Sequence, residues 1–206
     1  MTRLVIIGAG GHGRVVADCA RAMRVFDDIV FIDNSYPDRK QNLDWPIVAN
    51  TADWRQFSKN STFFVAIGDN NARLNWLSIL IDAKVPIANI IHPSSVCSPS
   101  IEIGLGNCVF ANAVVNPAVS IGNGCIINTG ATVDHDCKLS HGVHISPGAN
   151  LAGQVQIEEG SWVGIGANVI QCTSITKNTI IGAGASVISN IEESGTYVGV
   201  PAKKIK

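Results

Sequence analysis

Two stretches of this 206-residue chain gather side chains that could do chemistry. One is Val133-Asp134-His135-Asp136, with a further histidine, His144, nine residues beyond His135. An imidazole titrates near neutrality, and an adjacent carboxylate orients it and favours its protonated form once it has taken a proton. His135 beside Asp134 and Asp136 therefore has the composition of a general base. The other stretch is Gly8-Ala-Gly-Gly-His-Gly13, with Asp33 arriving 20 residues after Gly13. Glycine spacing and acid placement both match a dinucleotide fingerprint, because a residue without Cβ lets the backbone approach a pyrophosphate at a helix N-terminus.

The base candidate sits in a strict repeat. From Ile103 an aliphatic residue falls on every sixth position through Val109, Val115, Ile121, Ile127, Val133, Leu139, Ile145 and onward to Ile181 and Val187. Four residues after most of them comes a small one, such as Ala113, Cys125, Ala131, Cys137, Ala149 or Ala167. A period of six is neither helical nor that of a lone strand; it is the signature of a parallel β-helix. Three hexads, 18 residues, make one coil of a triangular prism whose aliphatics point to the axis and whose small residues sit at the corners. With no hexad expanded, no long loop is expected between Ile103 and Val187.

The 18-residue coil is also a ruler. Gly153 lies 18 residues after His135, so it should stack over the histidine and offer its N–H to a developing oxyanion. Pro147, Ile165 and Ala183 form a second column. The two columns fall on different edges of one prism, so a ligand lying along the second meets His135 only if another copy is alongside. Prisms of this kind pack as cyclic trimers, and a shared site, with His144 from the second chain, is expected. Zinc held by three histidines between subunits is a competing use, but His135, His141 and His144 crowd into one coil without the long first spacing of such sites, so no metal is expected.

The glycine turn belongs to a different architecture. An apolar strand at residues 3–7, the turn, an amphipathic helix from Arg14 to about Met23 and a strand at 29–33 are followed by a polar connection and an apolar segment at Pro46–Val48. A helix near 52–57, a strand at 63–67, a helix over 71–82 and a strand at 87–91 complete the series. Alternating strands and helices imply a small parallel sheet. The fold class is thus an α/β Rossmann-like domain, 1–90, before an all-β parallel β-helix domain, 91–206, capped by the tail. Ligands bind at the carboxyl ends of such strands, which singles out Gly10, Gly11, His12, Asp33, Asn34 and Gly68 to Asn70. About half a Rossmann fold suits one nucleotide, such as the UDP of a nucleotide sugar, better than NAD; a purely structural glycine turn and a plain helix-start role for His12 stay open.

A net charge of -1 offers no field for nucleic acid or an anionic membrane. The apolar run at the start is too short for a signal peptide or a membrane span, so a cytoplasmic protein is expected. Six cysteines without a CxxC pair read as small, reduced residues.

Taken together, Gly8-Ala-Gly-Gly-His-Gly13, Phe31-Ile-Asp-Asn34, Ala66-Ile-Gly68, Val133-Asp-His-Asp-Cys137, His144-Ile-Ser-Pro-Gly-Ala149, Leu151-Ala-Gly153 and Tyr197-Val-Gly-Val-Pro-Ala-Lys203 resemble the left-handed β-helix (hexapeptide-repeat) acyltransferases. The group is the sialic-acid O-acetyltransferase-like one that contains the UDP-4-amino-sugar N-acetyltransferases of bacillosamine-type pathways. The resemblance spans essentially the whole chain. It implies transfer from acetyl-CoA to the 4-amino group of a nucleotide-linked amino-deoxy sugar, in surface-glycan or glycoprotein sugar synthesis. In the matching positions His135 is the base and Asp136 raises its basicity; His144, Ile165 and Ala183 match acetyl-CoA contacts; Gly10 to His12, Asp33, Asn34 and Gly68 match UDP-sugar contacts. Asp136 stands where the bacillosamine branch can carry Glu, and Asn34 replaces a second acid there. O-acetylation of a sugar such as sialic acid is the alternative within enzymes, and a non-catalytic sugar-nucleotide-binding protein the alternative outside them.

Overall fold

The computed structural model describes residues 2–206, which divide by their internal contacts into two compact units, one ending at Pro93 and one beginning at Ser94.

In the first unit, β1 (Arg3–Ile7), β2 (Asp28–Ile32), β4 (Trp45–Ala49) and β5 (Ser61–Val65) are joined by β3 (Gln41–Asn42) into one sheet of order β3-β4-β2-β1-β5. All pairs are parallel except β3 with β4. The central strands read as continuous apolar runs, as expected of a sheet covered on both sides: Leu4 to Ile7, Val30 to Ile32 and Phe63 to Val65 are all buried. Helix α1 (Gly11–Met23) begins at the glycine turn, three residues before the start read from the sequence, and buries Val16, Ala17, Cys19 and Ala20. Helix α2 (Asn70–Asp82) is capped by Asp69, whose carboxylate accepts the Ala72 N–H at 2.8 Å. Two differences from the sequence reading are local. The polar connection contains the β3–β4 hairpin, and of the strand expected at 87–91 only Ile90–Ile91 is extended as a strand, with Ile87 bridging Phe63.

Packing accounts for two of the four glycines in the turn. A Cβ on Gly8 would sit 2.9 Å from the Ala66 carbonyl oxygen, and Gly8 has φ +103°; a Cβ on Gly13 would sit 2.3 Å from the Gly8 carbonyl oxygen. These two let α1 lie against the turn and β5 beside it.

The second unit is a prism of two-residue strands recurring every six residues. Its first face stacks Val96–Cys97, Val114–Val115, Thr132–Val133, Asn150–Leu151, Asn168–Val169 and Ser186–Val187. The second stacks Glu102–Ile103, Ser120–Ile121, Lys138–Leu139, Gln156–Ile157 and Ser174–Ile175. The third runs from Cys108–Val109 through Ile126–Ile127, His144–Ile145, Trp162–Val163 and Ile180–Ile181 to Thr196–Val198. The rungs are parallel with an 18-residue offset, as in His144 to Trp162 and Val133 to Leu151, except the last of the third face, where Ile180 pairs with Thr196 at an offset of 16. Each buried aliphatic contributes roughly 1.5–3 kcal/mol, and the slots Val109, Val115, Ile127, Val133, Ile145, Val163, Ile181 and Val187 are at most 1% exposed.

The corners are made one residue earlier than the small slot. Asn112, Ala118, Gly124, Gly130, Asp136, Gly142, Gly148, Gln154, Gly160, Gly166, Cys172, Asn178 and Gly184 all have φ between 54° and 69°. The small residue that follows is buried, Ala131, Cys137, Ala149 and Ala167 each at 0%. Left-handed backbone is open to Gly and tolerated by Asn and Asp, so the period is kept without a glycine in every hexad. Past Val187, Ile191 bridges Ile175, and Thr196–Val198 adds to the third face with Lys203–Lys204 folded back antiparallel on it, closing the end of the prism. All six cysteines are free thiols, and Cys125 and Cys137 fill buried corner slots. Among the described residues no helix is long and apolar enough to cross a membrane.

Candidate active site

His135 sits at the corner between the first and second faces, between Thr132–Val133 and Lys138–Leu139. Asp136, the next residue, takes the left-handed corner conformation at φ 59°. Its carboxylate Oδ2 lies 2.8 Å from His135 Nδ1. Nδ1–H donates there, so the lone pair of the ring is on Nε2. On the other side, Asp134 Oδ1 accepts the His135 backbone N–H at 2.8 Å and Asn116 Nδ2 from the coil below at 2.8 Å. These donors hold Asp134 below the usual carboxylate range, the His135 N–H first and Asn116 second. The hydrogen bond to Asp136, then the charge of Asp134, raise the His135 pKa above its ordinary value. The ring is half exposed, 54% of its side chain, and therefore open to a reactant.

Gly153 lies one coil further on, as the 18-residue ruler requires. The chain registers there through Gln154 N–H to the His135 carbonyl at 2.9 Å. A Cβ built on Gly153 would stand 2.6 Å from both Cε1 and Nε2 of His135. The Cε1–Nε2 side of the imidazole, with its basic nitrogen, thus lies close against Gly153. The coil-to-coil ladder is carried by Ala152 N–H and Gln154 N–H on either side, and no backbone carbonyl takes the Gly153 N–H among the described residues.

His144 lies on the third face, 9% exposed. Its ring is stacked on Trp162 of the next coil, 5.2 Å between centroids and 7° from parallel. Trp162 is held in turn by Nε1–H donating to Ser146 Oγ at 2.6 Å. Asn128 Oδ1 accepts the Thr129 N–H at 2.8 Å, which turns the amide nitrogen of Asn128 toward His144 Nε2 at 3.2 Å. Nε2 is then the acceptor, and the ring proton is on Nδ1. Pro147, Ile165 and Ala183 align at the corner between the third and first faces, linked by Gly166 N–H to Pro147 O and Gly184 N–H to Ile165 O. Ile165 is 62% exposed. His135 and this column stand on different edges of the prism, as the spacing predicts. Asp134 also borders an open groove of about 760 Å³ along the first face, which passes Asn150 and Asn168 and ends at Ile188 and Val200. No group of three His, Cys, Asp or Glu side chains able to hold a metal ion occurs among the described residues.

In the first unit the remaining candidates converge at the carboxyl ends of β1, β2 and β5. A Cβ on Gly10, Gly11 or Gly68 would meet nothing within 4 Å, so packing inside the unit does not require glycine there. Asp33 holds the turn together: Oδ2 accepts the Ala9 N–H at 2.7 Å, and Oδ1 accepts the Ser35 N–H at 2.9 Å and its hydroxyl at 2.6 Å. Burial opposes its charge, but these donors and Arg39 together keep its pKa below the ordinary value. Asn34, exposed, follows it. His12, in the first turn of α1, is lowered to about 4 by burial and by the charge of Arg73, so its imidazole is neutral at pH 7. Sequence reasoning missed Asn116 under Asp134 and Trp162 over His144, although both lie one 18-residue step from their partners. It also missed Arg39 and Asn42, which donate to the Ala9 carbonyl at 2.8 and 3.0 Å; no spacing rule points to them.

Comparison with known proteins places this geometry. Residues 3–80 match the family described as the PglD N-terminal domain. A curated relative, UDP-N-acetylbacillosamine N-acetyltransferase of Bacillus subtilis (strain 168), is 36% identical over 109 residues, 52% of this chain and 50% of that one; the match spans half the length of that relative. Two solved structures align over nearly the whole chain. The acetyltransferase domain of PglB from Neisseria gonorrhoeae FA1090 is 38% identical, with 98% of this chain and 99% of that one covered and a TM-score of 0.95. A variant of perosamine N-acetyltransferase from Caulobacter crescentus, in complex with CoA and GDP-perosamine, is 38% identical, with 98% and 96% covered and a TM-score of 0.91. Aligned over 98% of its length at 38% identity with the first of these, the chain belongs to the left-handed β-helix acetyltransferases, in the group of the UDP-4-amino-sugar N-acetyltransferases and sialic-acid O-acetyltransferase-like proteins.

Proposed function

We propose that the protein is an acetyl-CoA-dependent N-acetyltransferase acting on the 4-amino group of a UDP-linked amino-deoxy sugar, in the cytoplasm, for surface-glycan or glycoprotein sugar synthesis. The observation that carries this reading is the His135–Asp136 pair, with the basic Nε2 of His135 lying against Gly153. An amine attacking a thioester needs a base on one side and a donor for the carbonyl oxygen on the other. His135 Nε2 takes the proton of the attacking amine as the C–N bond forms, and the Gly153 N–H donates to the oxyanion. The C–S bond then breaks, and the imidazolium returns its proton to the departing thiolate. No cysteine acts as an acyl carrier.

The acyl donor fits the second column. The exposed Ile165 and Ala183, with His144 on the adjoining third face, line an edge along which a thin, partly apolar chain can lie. Because that edge and the His135 edge are separate on one prism, the active form is a homotrimer with sites shared between neighbouring chains, His144 coming from the second. Exposed Ile170, Ile180, Ile188 and Val200 supply apolar surface for such contacts. Gly10, Gly11, His12, Asp33, Asn34 and Gly68 receive the nucleotide sugar. The first unit takes the nucleotide sugar, and the second takes the acetyl donor.

Thermal unfolding separates this reading from acetylation of a free sugar such as sialic acid. UDP at 100 times its dissociation constant is expected to raise the melting temperature by roughly 5–10 °C. No shift with UDP, GDP or dTDP would remove the nucleotide from the proposal, and a monomer in sedimentation would remove the shared site.

The pH dependence tests the dyad. A base must be neutral, so activity falls as pH drops through the raised pKa of His135. Asp136→Asn removes the first cause of that rise, and Asn is at home at φ 59°. The acid limb of kcat is therefore expected to move to lower pH, with a lower plateau from the weaker base; an unmoved limb would show that Asp136 does not act on His135.

A further inference from the structure

Arg73, in the first turn of α2, is 1% exposed. A guanidinium is rarely buried this far without bonds that fix it. Here Nη1 donates to the Ile67 carbonyl at 2.9 Å and the Gly68 carbonyl at 3.0 Å, and Nη2 donates to Asn70 Oδ1 at 2.7 Å. Two consecutive carbonyl oxygens at the carboxyl end of β5 are thus drawn inward onto one fork.

A trans peptide is planar, with its N–H opposite its C=O. With the Ile67 and Gly68 oxygens turned in toward Arg73, the Gly68 N–H and the Asp69 N–H of the same two peptides turn away from it, toward the open end of the sheet. Gly68 and Asp69 are both exposed, and a side chain at Gly68 would meet nothing within 4 Å. Neither N–H is taken by another backbone carbonyl among the described residues. Successive N–H groups pointing out at the start of a helix form a cradle for an anionic or carbonyl oxygen. The charge of Arg73 also reaches His12 on the neighbouring turn, where it acts with burial to keep the imidazole neutral, so one cation underlies both turns.

We propose that Arg73 is a positioning residue for the nucleotide half of the substrate: from beneath, it aims the Gly68 and Asp69 N–H groups at the nucleotide's oxygens. The inference rests on the nucleotide-sugar reading and adds the residue that shapes the second of its two turns. Arg73 touches no substrate atom. Arginine serves the two carbonyls from one nitrogen and Asn70 from the other, and an ammonium has a single nitrogen with no planar fork, so Arg73→Lys keeps the charge and loses the fork.

The test is calorimetric titration of UDP into wild type, Arg73→Lys and Asn70→Ala, together with KM for both substrates and a melting curve for each. Arg73→Lys is expected to raise the UDP dissociation constant and the nucleotide-sugar KM about tenfold, with kcat and the acetyl-CoA KM unchanged, the pattern of lost ground-state binding. Asn70→Ala, which removes the Nη2 contact and leaves Arg73 its two carbonyl bonds, is expected to give a smaller rise in the same two constants, and it decides the matter if the lysine variant does not fold. Unchanged UDP affinity in a folded variant, or equal rises in both KM values, overturns the positioning role. Failure of wild type to bind UDP, GDP or dTDP is a separate result, visible before any variant is compared; it overturns the nucleotide reading and this inference with it.

Discussion

His135→Ala is expected to lower kcat by about 10²–10⁴-fold, the usual contribution of a positioned base, or about 3–5 kcal/mol of barrier. The fold should not change, because the side chain is 54% exposed and its loss leaves no cavity; surface changes of this kind stay within about 0.5 kcal/mol. KM for the nucleotide sugar and for acetyl-CoA should stay near wild type, and the acid limb of the pH profile should disappear with the group that titrates. Steady-state rates across pH, with a melting curve beside them, check all of this. A variant that keeps wild-type turnover would mean that Nε2 takes no proton in the reaction.

The second large effect concerns a single methyl group. Gly153→Ala introduces a Cβ 2.6 Å from both Cε1 and Nε2 of His135. That is inside any real contact, so something must move. The backbone of Gly153 is outside the left-handed region, so alanine is conformationally acceptable there. The neighbour that gives way is the half-exposed ring, which can swing toward solvent. The expected result is a protein within about 1 kcal/mol of wild-type stability whose turnover falls by about 10²-fold, the cost of a reacting group misplaced by about 1 Å. A stable Gly153→Ala protein with full turnover would show that the close approach of the ring to Gly153 has no part in catalysis. A protein that simply unfolds would contradict the assignment of the clash to His135.

The prism was legible in the sequence because one side chain in six must point to its axis, and that requirement leaves a period no other fold shares. The ruler of 18 followed from it and placed Gly153 over His135 correctly. The corners were less legible. The left-handed position is filled by Asn112, Ala118, Asp136, Gln154, Cys172 and Asn178 as well as by glycines, because the coil-to-coil hydrogen bonds impose the conformation on residues that only tolerate it. For that reason nothing in the sequence marked Asp136 as a corner residue, although the corner is what turns its carboxylate back to Nδ1. The strands of the repeat also extend ahead of the aliphatic pattern: Val96–Cys97 lies one hexad before Ile103, with a cysteine in the slot. In the first unit the strand–turn–helix at Gly8–Gly13 could be read from spacing. The hairpin at Gln41–Trp45 could not, being two residues of strand in a polar segment. Arg73 was invisible as well: a lone arginine on a helix reads as surface, and only the folded turn shows the carbonyls that bury it.

Group transfer from acetyl-CoA to a nucleotide-linked amine is the reaction on which all of these expectations depend. The direct measurement is thiol release from acetyl-CoA across a panel of UDP-, GDP- and dTDP-linked 4-amino-sugars and free sialic acid, with wild type and His135→Ala side by side and the product weighed by mass spectrometry. The predicted result is thiol release with wild type only when a nucleotide-linked amino sugar is present, UDP-linked best, with a product heavier by one acetyl group and a rate about 10²–10⁴-fold lower for the variant. No thiol release with any member of the panel, or release with free sialic acid alone, would contradict it.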